Sequence, residues 1–140
     1  MNKMGFTLVE LLVVIVIISI LALVGIAGYS IYVERARESS ARSALKAIQV
    51  ALEMYSTDNK GKYPIANNLS ELKFQILNYL PGREYPDNPS NNMPYSDENN
   101  DHYKISYTYD PLENRYTLTV MDRYNIKRLY FLSNSISFLH

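Results

Sequence analysis

Residues 5–33 read GFTLVELLVVIVIISILALVGIAGYSIYV, and from Leu11 to Val33 no side chain carries a charge. As a helix, this uncharged run reaches about 35 Å at a rise of about 1.5 Å per residue, enough to cross a hydrocarbon core of about 30 Å. Its polar interruptions are mild: Ser19, Tyr29 and Ser30. Gly25 and Gly28 let neighbouring helices approach closely, and Tyr29 and Tyr32 fall where an interfacial aromatic belt lies. The anomaly is Glu10, one carboxylate at the start of the run. An unpaired acid deep in a membrane costs roughly 2.5–3.5 kcal/mol, so this one requires a partner or a purpose. An ordinary cleaved signal peptide has a shorter apolar core, about 7–15 residues, ending at a small-residue site. Here the run continues into a charged segment without Gly or Pro after Gly28.

Further along, Gly and Pro stay absent until Gly61, and Ala41, Ala44, Leu45, Ile48, Leu52 and Tyr55 recur at three- and four-residue spacing. That period marks an amphipathic helix, with Glu38 and Arg42 at ion-pair spacing on the opposite side. The expectation is one helix from about Phe6 to Thr57, about 75–80 Å long, apolar all round in its first half and striped in its second. Asn59, Gly61 and Pro64 are stop signals. A short helix follows over roughly Leu69–Tyr79, with Asn68 and Glu71 at capping-box spacing and Pro81-Gly82 at its end. Residues 81–101 form a Pro/Asn-rich loop with four of the six prolines.

Two alternating runs come next. Tyr103, Ile105, Tyr107 and Tyr109 share one face of the first, and Tyr116, Leu118 and Val120 share one face of the second. Pro111–Asn114 between them predict a hairpin. KRLYFLSNSISFL, residues 127–139, supplies a third strand, since a two-stranded hairpin alone is marginal. The fold class is therefore α+β: a long N-terminal helix packed on a small antiparallel sheet.

Composition narrows the function. The chain has 140 residues, 14 basic and 14 acidic, which argues against general attraction to nucleic acid or an acidic surface. Cysteine is absent, so disulfides and thiolate metal sites are excluded. Ten of the 13 tyrosines lie beyond Asn59. No enzyme signature occurs: His102 and His140 are far apart, and no nucleophile elbow, zinc-protease motif or phosphate loop is present. Asp97, Glu98 and Asp101 are weak candidates for calcium; their spacing matches no EF-hand, and a solvated loop is the simpler reading. Lys60, Lys62, Arg123, Lys127 and Arg128 could join into a DNA-contacting patch, with scattered surface charge as the default.

GFTLVE followed by a long apolar run resembles the class III signal of type IV pilins and of the pseudopilins of type II secretion and competence systems. The resemblance implies that a prepilin peptidase cuts between Gly5 and Phe6 and methylates the new amino group of Phe6. Lys3 supplies the basic charge of the leader, and Met4 departs from the polar, charged or small residue usual there. ALEMYSTDNKGKYP, residues 51–64, is similar to the matching part of major pseudopilins and Gram-positive pilins. Family members often carry a proline in the apolar half, where this chain has Ala27. The implied organisation is a leader (1–5), a membrane-spanning and filament-core half-helix (6–33), an amphipathic half-helix (34–58), an αβ loop with a short helix (59–102) and an antiparallel sheet (103–140).

The resemblance gives Glu10 a purpose. Cleavage creates a cationic amine at Phe6, four residues from Glu10 and about 6 Å away along the axis. A neighbouring subunit's amine could reach the same carboxylate, which makes Glu10 an assembly-register residue. The implied partners are further copies of the chain, the prepilin peptidase, an inner-membrane assembly platform with its ATPase, and lipid before assembly. No cofactor is implied, although some major pseudopilins bind calcium. The implied location is the inner membrane in a single pass, with the C-terminal domain extracytoplasmic, and then a periplasmic or extracellular filament. Counting charge after the span (Arg35, Arg37, Arg42 and Lys46 against Glu34 and Glu38) would place that flank in the cytoplasm instead. The expected function is a structural, non-enzymatic subunit of a type IV pilus-like filament. Its alternatives are a minor pilin acting as a DNA-binding or adhesive module, and a plain single-span anchored protein.

Overall fold

The computed structural model describes residues 5–98 and 101–134. Lys3 and Met4 of the expected leader, and residues 135–140 of the expected sheet, lie outside the described residues. The chain divides between Ala36 and Arg37 into two compact units.

In the first unit the backbone is helical from Leu8, and every described side chain from Leu8 to Tyr32 is exposed within the chain. Helix α1 runs Leu8–Asp58, close to the expected bounds, because no Gly or Pro interrupts it after Gly28. Ser19 Oγ donates to the Ile15 carbonyl at 2.6 Å, the usual refuge of a hydroxyl in an apolar helix.

In the second unit the remainder of α1 presents Ala41, Ala44, Leu45, Ile48, Ala51 and Leu52 to a core. The short helix α2 (Leu69–Ile76) adds Leu69, Leu72 and Ile76. A three-stranded antiparallel sheet in the order β3-β4-β5 (Ile105–Asp110, Arg115–Met121, Arg128–Ser133) adds Ile105, Tyr116, Leu118 and Val120. The pairs Ile105↔Val120, Tyr107↔Leu118 and Tyr109↔Tyr116 are in register, so the alternating faces read from the sequence meet as expected. The fold is α+β and pilin-like.

Three details depart from expectation. The short helix leaves α geometry at Ile76 and finishes as a 3-10 turn over Leu77–Tyr79. The Pro/Asn-rich segment is not simply a loop: β1 (Asp87–Asn88) pairs antiparallel with β2 (Met93–Pro94). Buried Asn88 anchors that ribbon, its Nδ2 donating to the His102 carbonyl at 2.9 Å and its Oδ1 accepting from the N–H and hydroxyl of Ser90. The expected Glu38–Arg42 ion pair does not form, whereas Arg115 and Glu113 lie within salt-bridge distance, at 2.7 Å. An exposed helical pair gains little over the entropy of holding two long side chains.

The end of α1 is closed by a Schellman-type bond from Gly61 N–H to the Ser56 carbonyl at 2.8 Å. The left-handed residue that this motif needs is Lys60, at φ 57°, and Gly61 follows at φ 81°. A side chain bearing Cβ pays a steric cost in that region. Lys60→Gly is therefore expected to stabilise this unit by about 0.5–1 kcal/mol; unchanged or lower resistance to urea would show that Lys60 makes a compensating contact.

Tyrosines tie the layers together. Glu53 of α1 accepts from Tyr63 at Oε2 (2.8 Å) and from Tyr116 at Oε1 (2.7 Å). The two rings lie 4.7 Å apart, and Tyr116 stacks on Tyr107 at 6.2 Å. Tyr107 in turn donates to the Pro64 carbonyl at 2.6 Å. Asn114, in the β3–β4 turn, accepts from Tyr109 and donates to the Gly61 carbonyl at 2.7 Å, so this turn is held at the end of α1.

Candidate processing and assembly site

Gly5 to Thr7 precede the helix, and Gly5, Phe6 and Thr7 are all exposed. Thr7 is the N-cap. Its N–H and its hydroxyl both donate to Glu10 Oε2 at 2.8 Å, and the Glu10 N–H donates back to Thr7 Oγ1 at 3.2 Å. This is a capping box, reciprocal satisfaction of donors that no earlier turn can accept. The first helical bond, Leu11 N–H to the Thr7 carbonyl at 3.2 Å, starts from the same residue.

Two consequences follow for the expected site residues. The Gly5–Phe6 bond lies outside the helix, and no atom lies within 4 Å of the space a Cβ on Gly5 would occupy. The Glu10 carboxylate is directed toward the N-terminal end of α1, where cleavage would place an amine. Thr7 is the residue of this arrangement to which the sequence analysis gives no role. Its signal was present in Thr7-x-x-Glu10, a capping-box spacing hidden by the apolar run behind it.

The weaker candidates separate. Asp97 is an exposed loop carboxylate, as the simpler reading expects, and it has a structural role besides. It accepts from the Ser70 hydroxyl at 2.6 Å and from the Leu69 N–H at 2.8 Å, capping α2 from outside. The Ser70 hydroxyl, and then the Leu69 and Ser70 N–H groups, hold its carboxyl below the ordinary aspartate range. Asn68 caps the same helix by accepting from the Glu71 N–H at 2.8 Å, while Glu71 reaches back to Asn67 N–H rather than to Asn68. Among the described residues no group of three or more His, Asp or Glu side chains could hold a metal ion, so Asp97, Glu98 and Asp101 are not brought together as a ligand set.

The proposed basic patch divides as well. Lys60 and Lys62 flank Gly61, which is bonded to the β3–β4 turn, whereas Arg123, Lys127 and Arg128 lie at the opposite end of β4. The sequence could not show this, because a strand's length intervenes between the two groups.

Comparison with known families adds one finding: residues 1–26 match the prokaryotic N-terminal methylation motif. The chain carries a class III signal. This signal is characteristic of type IV pilins and pseudopilins and marks a substrate of the prepilin peptidase. The match ends at Ile26, within an N-terminal helix long and apolar enough to cross a membrane. No curated protein and no solved structure matches the chain.

Proposed function

We propose that this prepilin is a structural subunit of a type IV pilus-like filament, cut between Gly5 and Phe6, methylated at Phe6, and held by residues 6–33 in the membrane until assembly. The observation that carries the reading is the combination at the N-terminus. The Gly5–Phe6 bond stands free of the helix, Glu10 in its capping box with Thr7 lies at that end, and an apolar surface exposed on every side follows. Such a surface has two environments, lipid or the apolar surfaces of other copies. From lipid, transfer into a filament releases little hydrophobic free energy, because lipid tails are as apolar as Leu side chains. Extraction then requires an external motor, which fits a platform with an ATPase as partner. Packing and the pairing of Glu10 with a neighbour's Phe6 amine set the geometry. The carboxyl-terminal unit would stand extracytoplasmic.

Lys60, Lys62, Arg123, Lys127 and Arg128 do not form one DNA-contacting patch, since they fall at two ends of the sheet. Intact mass of the protein from its native cells tests the proposal. Loss of MNKMG with gain of one methyl group is expected, and Gly5→Leu is expected to leave the full-length mass. A full-length mass in the unaltered protein would overturn the processing site, and with it the filament reading.

A further inference from the structure

The loop joining β4 to β5, residues 122–127, is built with care for a surface turn. Asp122 Oδ1 accepts from the Ile126 N–H at 2.8 Å, and the Asp122 N–H donates to the Lys127 carbonyl at 2.8 Å. Asn125 holds a left-handed φ of 58°. Its side chain clamps the chain before β3, accepting from the Lys104 N–H at 3.1 Å and donating to the Asp101 carbonyl. His102 Nδ1 donates to the Arg123 carbonyl at 2.7 Å. These bonds hold Lys104 against the loop, a juxtaposition invisible in the sequence.

What the clamp displays is apolar and cationic. Ile126 is 82% exposed, Tyr124 71% and Phe131 47%. The Arg123 guanidinium lies 5.9 Å from the Tyr124 ring centre, and that of Arg128 lies 5.5 Å from Phe131. Lys104, Lys127 and Arg128 have no carboxylate within ion-pair distance among the described residues. Among the described residues, Lys104, Lys127 and Arg128 stand beside Asp101 and Asp122, and one oxygen of Asp122 is already engaged by the Ile126 N–H.

We propose that this loop, with Lys104 and Arg128, is a peripheral contact for anionic phospholipid headgroups. Aliphatic and aromatic tips flanked by cations suit the headgroup–acyl boundary, where the rings and Ile126 leave water while the cations meet phosphate. Ile126, more exposed than the Tyr124 and Phe131 rings, favours lipid over nucleic acid, because an aliphatic tip adds nothing to base stacking but gains from leaving water. The loop also lies at the end of β4 opposite the turn bonded to the end of α1. The inference rests on the reading of residues 6–33 as membrane-held. That tether gives the loop a high effective concentration at the bilayer, so a contact too weak to recruit a free protein suffices.

The full chain contains no tryptophan, so Tyr124→Trp and, separately, Leu21→Trp each supply one fluorescent reporter. Both variants are reconstituted into vesicles of phosphatidylcholine or of phosphatidylcholine with phosphatidylglycerol, containing brominated lipid as quencher. The Leu21 reporter is expected to be quenched in both lipids, and the Tyr124 reporter only in the anionic one, with loss at high salt. Adding Lys127→Gln and Arg128→Gln is expected to weaken the loop contact by about thirtyfold. Quenching at Leu21 with none at Tyr124 in anionic vesicles overturns this proposal and leaves the span intact; no quenching at Leu21 removes the span itself. A Tyr124 response to an added single-stranded oligonucleotide, without lipid quenching, would overturn it in favour of nucleic acid.

Discussion

Glu10→Ala is expected to leave membrane insertion and cleavage at Gly5 intact while cutting filament yield by about two orders of magnitude. The size follows from the roughly 2.5–3.5 kcal/mol that an unpaired acid costs in a bilayer. A pair that relieves this cost in one axial stagger, and in no other, biases assembly toward that stagger by about a hundredfold. The structure shows that Glu10 has a second duty, accepting from Thr7 N–H and hydroxyl at 2.8 Å. Loss of the cap alone costs about 1 kcal/mol. The two duties are separable. Glu10→Gln keeps an acceptor for the capping box but removes the charge, and Thr7→Ala weakens the box but keeps the charge. Filament counts by electron microscopy are expected to fall for Glu10→Gln as far as for Glu10→Ala, and to fall only slightly for Thr7→Ala. Wild-type yield from Glu10→Gln would sink the register argument and leave Glu10 as a helix cap.

The second large effect is alkaline unfolding of the unit that begins at Arg37. Burial pushes the hydroxyls of Tyr85, Tyr95, Tyr107 and Tyr116 far above the ordinary tyrosine range, with Glu53 adding to the shift at Tyr116. The sign is set by which state ionises first. Unfolded tyrosines lose their protons near pH 10, while the folded ones keep theirs, so the unfolded state binds fewer protons above that pH. Stability is then full below about pH 10 and falls as pH rises, by up to about 1.4 kcal/mol per pH unit for each such tyrosine. Against a domain stability on the order of 5–15 kcal/mol, four of them unfold the unit within a few pH units. Tyrosinate absorbance and circular dichroism are expected to change together in one cooperative step. A gradual titration of all tyrosines near pH 10 with the dichroism unchanged would refute it. Tyr85 offers an internal check, because its buried hydroxyl has no hydrogen-bond partner among the described residues. Tyr85→Phe is expected to flatten the alkaline slope without loss of stability at neutral pH.

The two predictions draw on different kinds of information. Glu10 could be singled out from the chain alone, because a charge at the edge of an uncharged run is visible in one dimension. The same holds for the stripe Ala41, Ala44, Leu45, Ile48, Leu52, all of it buried in the structure, and for the alternation that made β3 and β4. In each case the period of the backbone imposes the pattern on the sequence, so the pattern can be read back. Thr7 was legible by the same logic, but its spacing was masked by its surroundings.

Nothing local distinguishes Glu53 from the other exposed acids of α1, yet its two oxygens join Tyr63 and Tyr116 from separate segments. Asn114 and Asn88 look like ordinary turn residues, and only the folded chain makes one the bond between a turn and the end of α1 and the other the anchor of the β1–β2 ribbon. Asp97 looked like a loop acid and became a helix cap 28 residues away in sequence from Leu69. The sequence by itself determined the membrane-type helix, the methylation signal and the hairpin, because these rest on spacing within one element. The tyrosine clamp on Glu53, the division of the basic residues and the meeting of Lys104 with the 122–127 loop were decided only by the tertiary structure, because a polar side chain takes its partner from whatever the packed core brings within about 3 Å.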